Sequence, residues 1–183
     1  ALVRWQHPER GLLDPSAFIG VAEQTGLVNA LGSEVLRLAA VQCHDWLEQG
    51  IRRRISVNVC HTEFHRADFA ERVLRLISDC GMPYDLLELE VTESVALSYP
   101  ELAIRHLDVL RSVGVTIAID DFGVGYSNLS QLAALPFDTI KIDRSLVNGS
   151  GGDEKREQII TAIIQMGHAM GHSTVAEGVE TIK

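Results

Sequence analysis

A chain of 183 residues, 46% hydrophobic and 22% charged, has the composition of one globular domain with a substantial core. Its formal charge of −9 excludes sequence-independent binding to a nucleic-acid backbone, so no DNA partner is expected, although bound cations could still reverse the local field for an anionic substrate. No apolar run approaches the ~20 residues of a membrane span and no signal peptide opens the chain; Cys43, Cys60 and Cys80 form no CxxC pair, so a cytoplasmic domain without membrane contact, zinc site or disulfides is expected, even if it belongs to a membrane-anchored protein.

Residues 33–49 carry Leu36, Ala39, Cys43 and Trp46 on one helical face, and Gly50 is placed to end that helix. ISVNV (55–59) reads as a buried strand. Asp68 can cap a helix reaching about Cys80, with Glu71 at the reciprocal capping position and Val73, Leu74 and Ile77 inward. LELEVTES (87–94) is a second strand. Pro100 then suits the first turn of a helix bearing Ala103, Leu107 and Leu110, with Gly114 as its stop. TIAIDDFG (116–123) and TIKIDRS (139–145) are strands flanking a short helix near Asn128–Leu135. The segment 148–153, Asn-Gly-Ser-Gly-Gly-Asp, reads as a surface loop. Residues 154–170 form a helix with Ile160, Ile163, Ile164 and Met170, ending at Gly171, and TVAEGVE (174–180) is the last strand.

Strand and helix alternate, which implies parallel strands with crossover helices. An open doubly wound sheet gathers its ligand at one switch point, whereas all five strands here present polar residues at their C-terminal ends. A closed, TIM-like (β/α) barrel brings every strand end to one mouth and is the expected fold, as a single domain over residues 1–183.

Those strand ends carry Asn58, Glu90, Asp120, Asp121 and Glu177, with Lys141 as the one cation among them. Repelling acids gathered at one point share a cation or are costly to desolvate. Adjacent Asp120 and Asp121 alternate in a regular strand, so the backbone must turn for both to reach one metal pair; the other reading is an acidic turn capping the following helix. Gly123 and Gly125 supply the flexibility of a closely approaching loop. Glu88 lies on the face of Glu90 and belongs low on the strand in a paired role. Glu93 is a ligand or holds a neighbouring loop, and Asn58 is an oxygen donor or satisfies backbone groups. Lys141 facing acids stays charged and can orient water or stabilise a leaving oxygen, and Asp143, two residues on, is its natural partner. The pairs His61/His65 and His168/His172 read as surface or packing residues, and Trp5 and Trp46 as core.

The segments ALVRWQHP, SVNV, LELEVTES, IDDFGVGYSNL, TIKIDRS and VAEGVET, in this order, resemble the successive motifs of the EAL domain, a family of bacterial cyclic-di-GMP phosphodiesterases. The resemblance implies a modified barrel of EAL type with one antiparallel strand. It is expected to be incomplete at both ends, because the family's glutamate would precede Ala1 and its final strand would follow Lys183. It also implies hydrolysis of cyclic-di-GMP to linear pGpG at two Mg²⁺ or Mn²⁺ ions, a choice that all-oxygen ligands also favour over zinc. By motif, Asn58, Glu90 and Asp120 would hold the first ion, with Asp120 bridging to a second completed by Asp121 and Glu177. Lys141 would contact the attacking water, Glu93 would brace the DDFG loop, and Glu177 joins these two as a catalytic residue. Arg4 would contact a substrate phosphate, with Asp143 as a second substrate-binding residue. A homodimer, and a sensor or GGDEF domain elsewhere in the full-length protein, are the further partners implied.

Two smaller departures are Val124, where the family has Thr or Ala, and Cys60, where it has Ser. Gly151-Gly152-Asp153-Glu154 lacks the Phe of a GGDEF signature and is discounted. The alternative function is a catalytically impaired EAL domain acting as a cyclic-di-GMP receptor or protein-interaction module. Without the resemblance, an enolase-type barrel with a lysine base would be the third reading.

Overall fold

The computed structural model describes residues 1–124, 129–148 and 153–179. It divides into two compact units, residues 1–89 with 113–115 and residues 90–112 with 116–183, so the strand over residues 87–92 contributes to both.

In the first unit, β1 (Trp5–His7) and β2 (Gly11–Leu13) form an antiparallel hairpin in which Trp5 faces Leu13. His7 Nδ1 accepts the amides of Glu9 and Arg10, which closes the turn. After α1 (Ile19–Gln24), α2 runs from Val28 to Glu48 and starts ahead of the expected residue 33. Leu36, Ala39, Ala40 and Cys43 are buried, and Gly50, at φ +76°, ends the helix as expected.

β3 (Ile55–Asn58) buries Ile55 and Val57 and leaves Asn58 exposed at its tip. Asn58 is therefore not the buried amide satisfying backbone groups that one reading allowed. After α3 (His61–Phe64), α4 (Phe69–Asp79) buries Phe69, Ala70, Val73 and Ile77. Asp68 precedes α4 but does not cap it through its side chain. A capping residue needs extended backbone, whereas Asp68 sits at φ −97°, ψ 12°, and its carboxylate takes the Arg66 guanidinium at 3.0 and 3.3 Å. The first half of β4 (Leu87–Thr92) carries Glu88, which accepts from Ser56 Oγ at 2.7 Å and faces Arg54 at 3.8 Å, the paired role expected low on the strand.

The second unit contains the rest of β4, then α5 (Glu93–Ser98), α6 (Pro100–Ser112), β5 (Thr116–Phe122), α7 (Leu129–Leu132), β6 (Thr139–Ile142), α8 (Arg144–Val147), α9 (Glu154–Ala169) and β7 (Ser173–Ala176). β5–β6 and β6–β7 pair in parallel. Ile117, Ile119, Ile140, Leu107 and Leu110 have no accessible surface, each such burial contributing roughly 1.5–3 kcal/mol. Helix α9 approaches the sheet closely at Gly167, where an added Cβ would meet Thr174 Cγ2 at 2.7 Å. Asp153 caps α9 by accepting the amides of Lys155 and Arg156 at 3.1 and 3.4 Å, the role left for it once the cyclase-like reading is set aside. The expected loop falls largely outside the described residues, as do Gly125 and Asn128.

The sheet order β3-β4-β5-β6-β7 follows the chain without reversal. A doubly wound sheet reverses its order at a switch point; sequential order is the progression of staves in a (β/α) barrel. Among the described residues, no helix is long and apolar enough to cross a membrane.

Candidate active site

The second unit brings most of the predicted residues together around one side chain. Lys141, central in the wholly buried β6, extends its ammonium to Glu90 Oε1 of β4 at 2.7 Å, Asp120 Oδ1 of β5 at 3.1 Å and Glu177 Oε1 just past β7 at 2.6 Å. The side chains of Lys141, Glu90 and Asp120 are 10–11% exposed and that of Glu177 is 31% exposed. Burial pulls the lysine pKa down, but hydrogen bonds to Glu177 and Glu90 and the field of Glu90 and Asp120 outweigh it. The group is held well above the ordinary lysine value and stays charged.

The backbone solves the problem of the adjacent acids with a bulge. Ile119 pairs with Ile140 and Phe122 with Ile142, so Asp120 and Asp121 together stand opposite the single residue Lys141. Asp121 takes φ +54°, the one positive value outside glycine among the described residues, and its amide donates to Asp120 Oδ1 at 3.0 Å. The turn was expected at the strand's end; it lies inside β5, which continues to Phe122.

Asp121 also marks where positive charge runs short. Its pKa is raised by burial first, then by Asp120, Asp143 and Glu177, while Lys141 pulls it down. One ammonium thus serves Glu90, Asp120 and Glu177 and leaves Asp121 among like charges. An all-oxygen, acid-rich set of this kind fits a hard divalent cation. As the side chains stand, no group of three His, Cys, Asp or Glu among the described residues is arranged to hold an ion, because the lysine ammonium takes the point where the acids meet.

Asp143 is not the partner of Lys141. The strand ends at Ile142, and Asp143 turns to cap α8, accepting the Ser145 amide at 2.8 Å. Its pKa is lowered mainly by the Ser145 hydroxyl and then by backbone amides. Glu93 is the first residue of α5 and is buried, and its Oε2 meets no hydrogen-bond donor among the described residues. The loop it was expected to brace begins with Gly123, at φ +97°, and exposed Val124; residues 125–128 lie outside the described residues. Asn58 and Arg4 belong to the first unit, where Arg4 pairs with exposed Asp14 at 3.0 Å.

A cleft of about 660 Å³ lined by Arg111, Phe137, Asp138, Met170 and His172 lies instead at the N-terminal ends of β6 and β7. There Arg111 and Asp138 satisfy each other at 2.7 Å and no surplus charge remains. His172 stacks on Phe137 with ring centroids 3.9 Å apart, the packing role expected of it.

Sequential strands carrying acids and one lysine at their C-terminal ends define a TIM-like α/β fold with an acid-rich site built around a single ammonium. The chain belongs to the EAL domain family, whose model matches residues 1–183. It is 41% identical over 182 residues to the cyclic di-GMP phosphodiesterase NbdA of Pseudomonas aeruginosa, covering 99% of this chain and 23% of that protein. It is 39% identical over 182 residues to the bifunctional diguanylate cyclase/cyclic di-GMP phosphodiesterase MucR of the same species, covering 99% of this chain and 27% of that protein. The solved PaMucR phosphodiesterase in complex with c-di-GMP matches with a TM-score of 0.94 and 39% identity, over 99% of this chain and 74% of that one. The chain therefore spans about a quarter of the length of these curated relatives.

Proposed function

We propose that this domain hydrolyses cyclic di-GMP to linear pGpG with the help of two Mg²⁺ or Mn²⁺ ions. The observation that carries the reading is the convergence of Glu90, Asp120 and Glu177 on Lys141, with Asp121 left uncompensated beside them. Glu90, Asp120, Asp121 and Glu177 are the residues of the second unit that would hold the ions. When bound, these supply Lewis-acid stabilisation to the attacking and leaving oxygens of an in-line displacement.

The chain's own groups divide the remaining work. Lys141, whose pKa is raised, against the pull of burial, by Glu177, Glu90 and Asp120, acts as a hydrogen-bond donor that orients the attacking water, and a proton-abstracting role falls to a carboxylate. Glu177, the most exposed of the three acids bonded to Lys141, takes that proton. Water's oxygen bonds to phosphorus as the bond from phosphorus to the ribose oxygen breaks; that oxygen takes up a proton, balancing the one removed from water, and leaves as a hydroxyl with the ring opened. Arg4 binds a phosphate by exchanging its exposed pairing with Asp14, which costs little because such pairs are worth about 0–1 kcal/mol. Asp143, fixed by the cap of α8, serves the substrate, and Glu93 braces the loop after Asp121. A cyclase or sensor domain accompanies this one in the whole protein, as the bifunctional relative MucR suggests.

The test is incubation of the protein with cyclic di-GMP and Mn²⁺ or Mg²⁺, with and without a chelator, and chromatographic separation of products. Ion-dependent appearance of pGpG is expected. Intact substrate from folded, ion-loaded protein would overturn the reading.

A further inference from the structure

Helix α8 is a four-residue turn, too short to hold itself together in water. Yet it touches both backbone turns that carry the acids. A Cβ on Gly123 would come within 2.5 Å of Leu146 Cδ1, and Gly123 follows Asp121 by two residues. On the other side, a Cβ on Gly178 would come within 2.8 Å of Arg144 Cβ, and Gly178 directly follows Glu177. Both glycines have positive φ, +97° and +71°, so contact is made against bare backbone with no side chain to yield.

What fixes α8 comes from outside it. Arg156 of α9 donates through Nη1 to the carbonyls of Ser145 and Asn148 at 3.0 and 2.9 Å, at the two ends of the turn. Its Nε faces Asp153 at 3.2 Å, the residue that caps α9. Ile163 Cδ1 of α9 borders the same position, 3.5 Å from a Cβ on Gly123.

We infer that α8 is the spacer that sets the separation of the Asp120-Asp121 turn from the Glu177 turn, with Leu146 as its wedge and Arg156 as its clamp. Arg156 is thus a positioning residue acting through α8, without touching substrate. Its catalytic consequence rests on the phosphodiesterase reading; the mechanical claim does not.

The decisive measurement is amide hydrogen exchange in Arg156→Ala. The Asp121 amide is bonded to Asp120 Oδ1 and the Glu177 amide to the Ile142 carbonyl at 3.1 Å, so both report the turns directly. Exchange at both is expected to quicken about 10-fold, while Ile140 and Ile142 in the core strand keep their protection. Leu146→Ala should give the same pattern, which guards against a general effect of losing one charge. In turnover, kcat should fall at least about 10-fold with KM within about twofold, the signature of misplaced rather than missing groups. Arg156→Lys, which keeps a donor but not the fork, should recover part of the loss. Unchanged exchange at Asp121 and Glu177, or equal acceleration at Ile140 and Ile142, would overturn the inference. If the wild-type protein leaves cyclic di-GMP intact, the phosphodiesterase reading falls while the exchange comparison still decides the role of α8.

Discussion

Lys141→Met keeps an unbranched apolar stem and deletes the ammonium that Glu90, Asp120 and Glu177 share at 2.7, 3.1 and 2.6 Å. Two of these acids are only 11% exposed, so their charges have little access to water once the partner is gone. Glu177, at 31%, retains a route to solvent and contributes less to the penalty. Removing one member of a buried ion pair costs about 3–5 kcal/mol, and the exposure of Glu177 favours the lower end. For a domain of this size, about 2–4 °C per kcal/mol converts that to a fall in Tm of roughly 6–20 °C. The lysine pKa is raised in the folded state, so its contribution is complete below the unfolded value and is lost only as pH rises through the folded one. The fall should accordingly be the same at about pH 7 and about pH 8. Circular-dichroism melts in chelator measure it. A fall below about 2 °C would refute the claim that this ammonium holds the strand ends together.

Three other outcomes follow from the same geometry. Asp121→Gly relieves the φ of +54° and removes an acid from among Asp120, Asp143 and Glu177, so Tm in chelator should rise with a gain of about 1 kcal/mol while pGpG formation is lost; retained turnover would remove Asp121 from the site. Asp138→Ala leaves the Ile117 amide and Arg111 without their acceptor, costing about 1–3 kcal/mol by denaturant titration, with activity per folded molecule unchanged. His172 has a pKa lowered by burial, raised by Asp138 and lowered by Arg111, with burial dominant, so the stability it gives is present above its ordinary 6.5 and lost as pH falls. His172→Phe should flatten the dependence of Tm on pH between about 7.5 and about 5, and an unchanged slope would assign that titration elsewhere.

β5 and β6 were legible because burial on both faces demands continuous Ile, Val and Leu, as TIAI and TIKI display, whereas the last strand, expected over 174–180, spans Ser173–Ala176 and buries none of its residues. Helix stops at Gly50, Gly114 and Gly171 were legible too, since each takes the positive φ that ends a helix. Side-chain choices between competing partners were not. Asp68 faced both a helix terminus and Arg66, and local charge decided it. Asp143 shares a strand parity with Lys141, but that parity lapses where the strand stops. The early start of α2 lacks a side-chain cap at Leu27, and the β1–β2 hairpin depends on a His7 turn with no strong sequence signal. At the site, the acids and Lys141 were readable as residue types at strand ends, whereas Leu146 and Arg156 look like ordinary core and surface residues and are marked only by what two glycines would strike.

The bulge in β5 stores the meeting of two acids and a lysine in chain length as well as in residue identity. Between Ile119 and Phe122 the strand holds one residue more than β6 does between Ile140 and Ile142. Deleting a single codon there would regularise the strand and leave one carboxylate opposite Lys141 where there are now two. No point substitution can reverse that event, because recovery needs an insertion at the same place. Within this fold, loss of the paired acids by deletion is therefore close to a one-way step, and descendants that have taken it would be recognised by a missing residue rather than by a changed one.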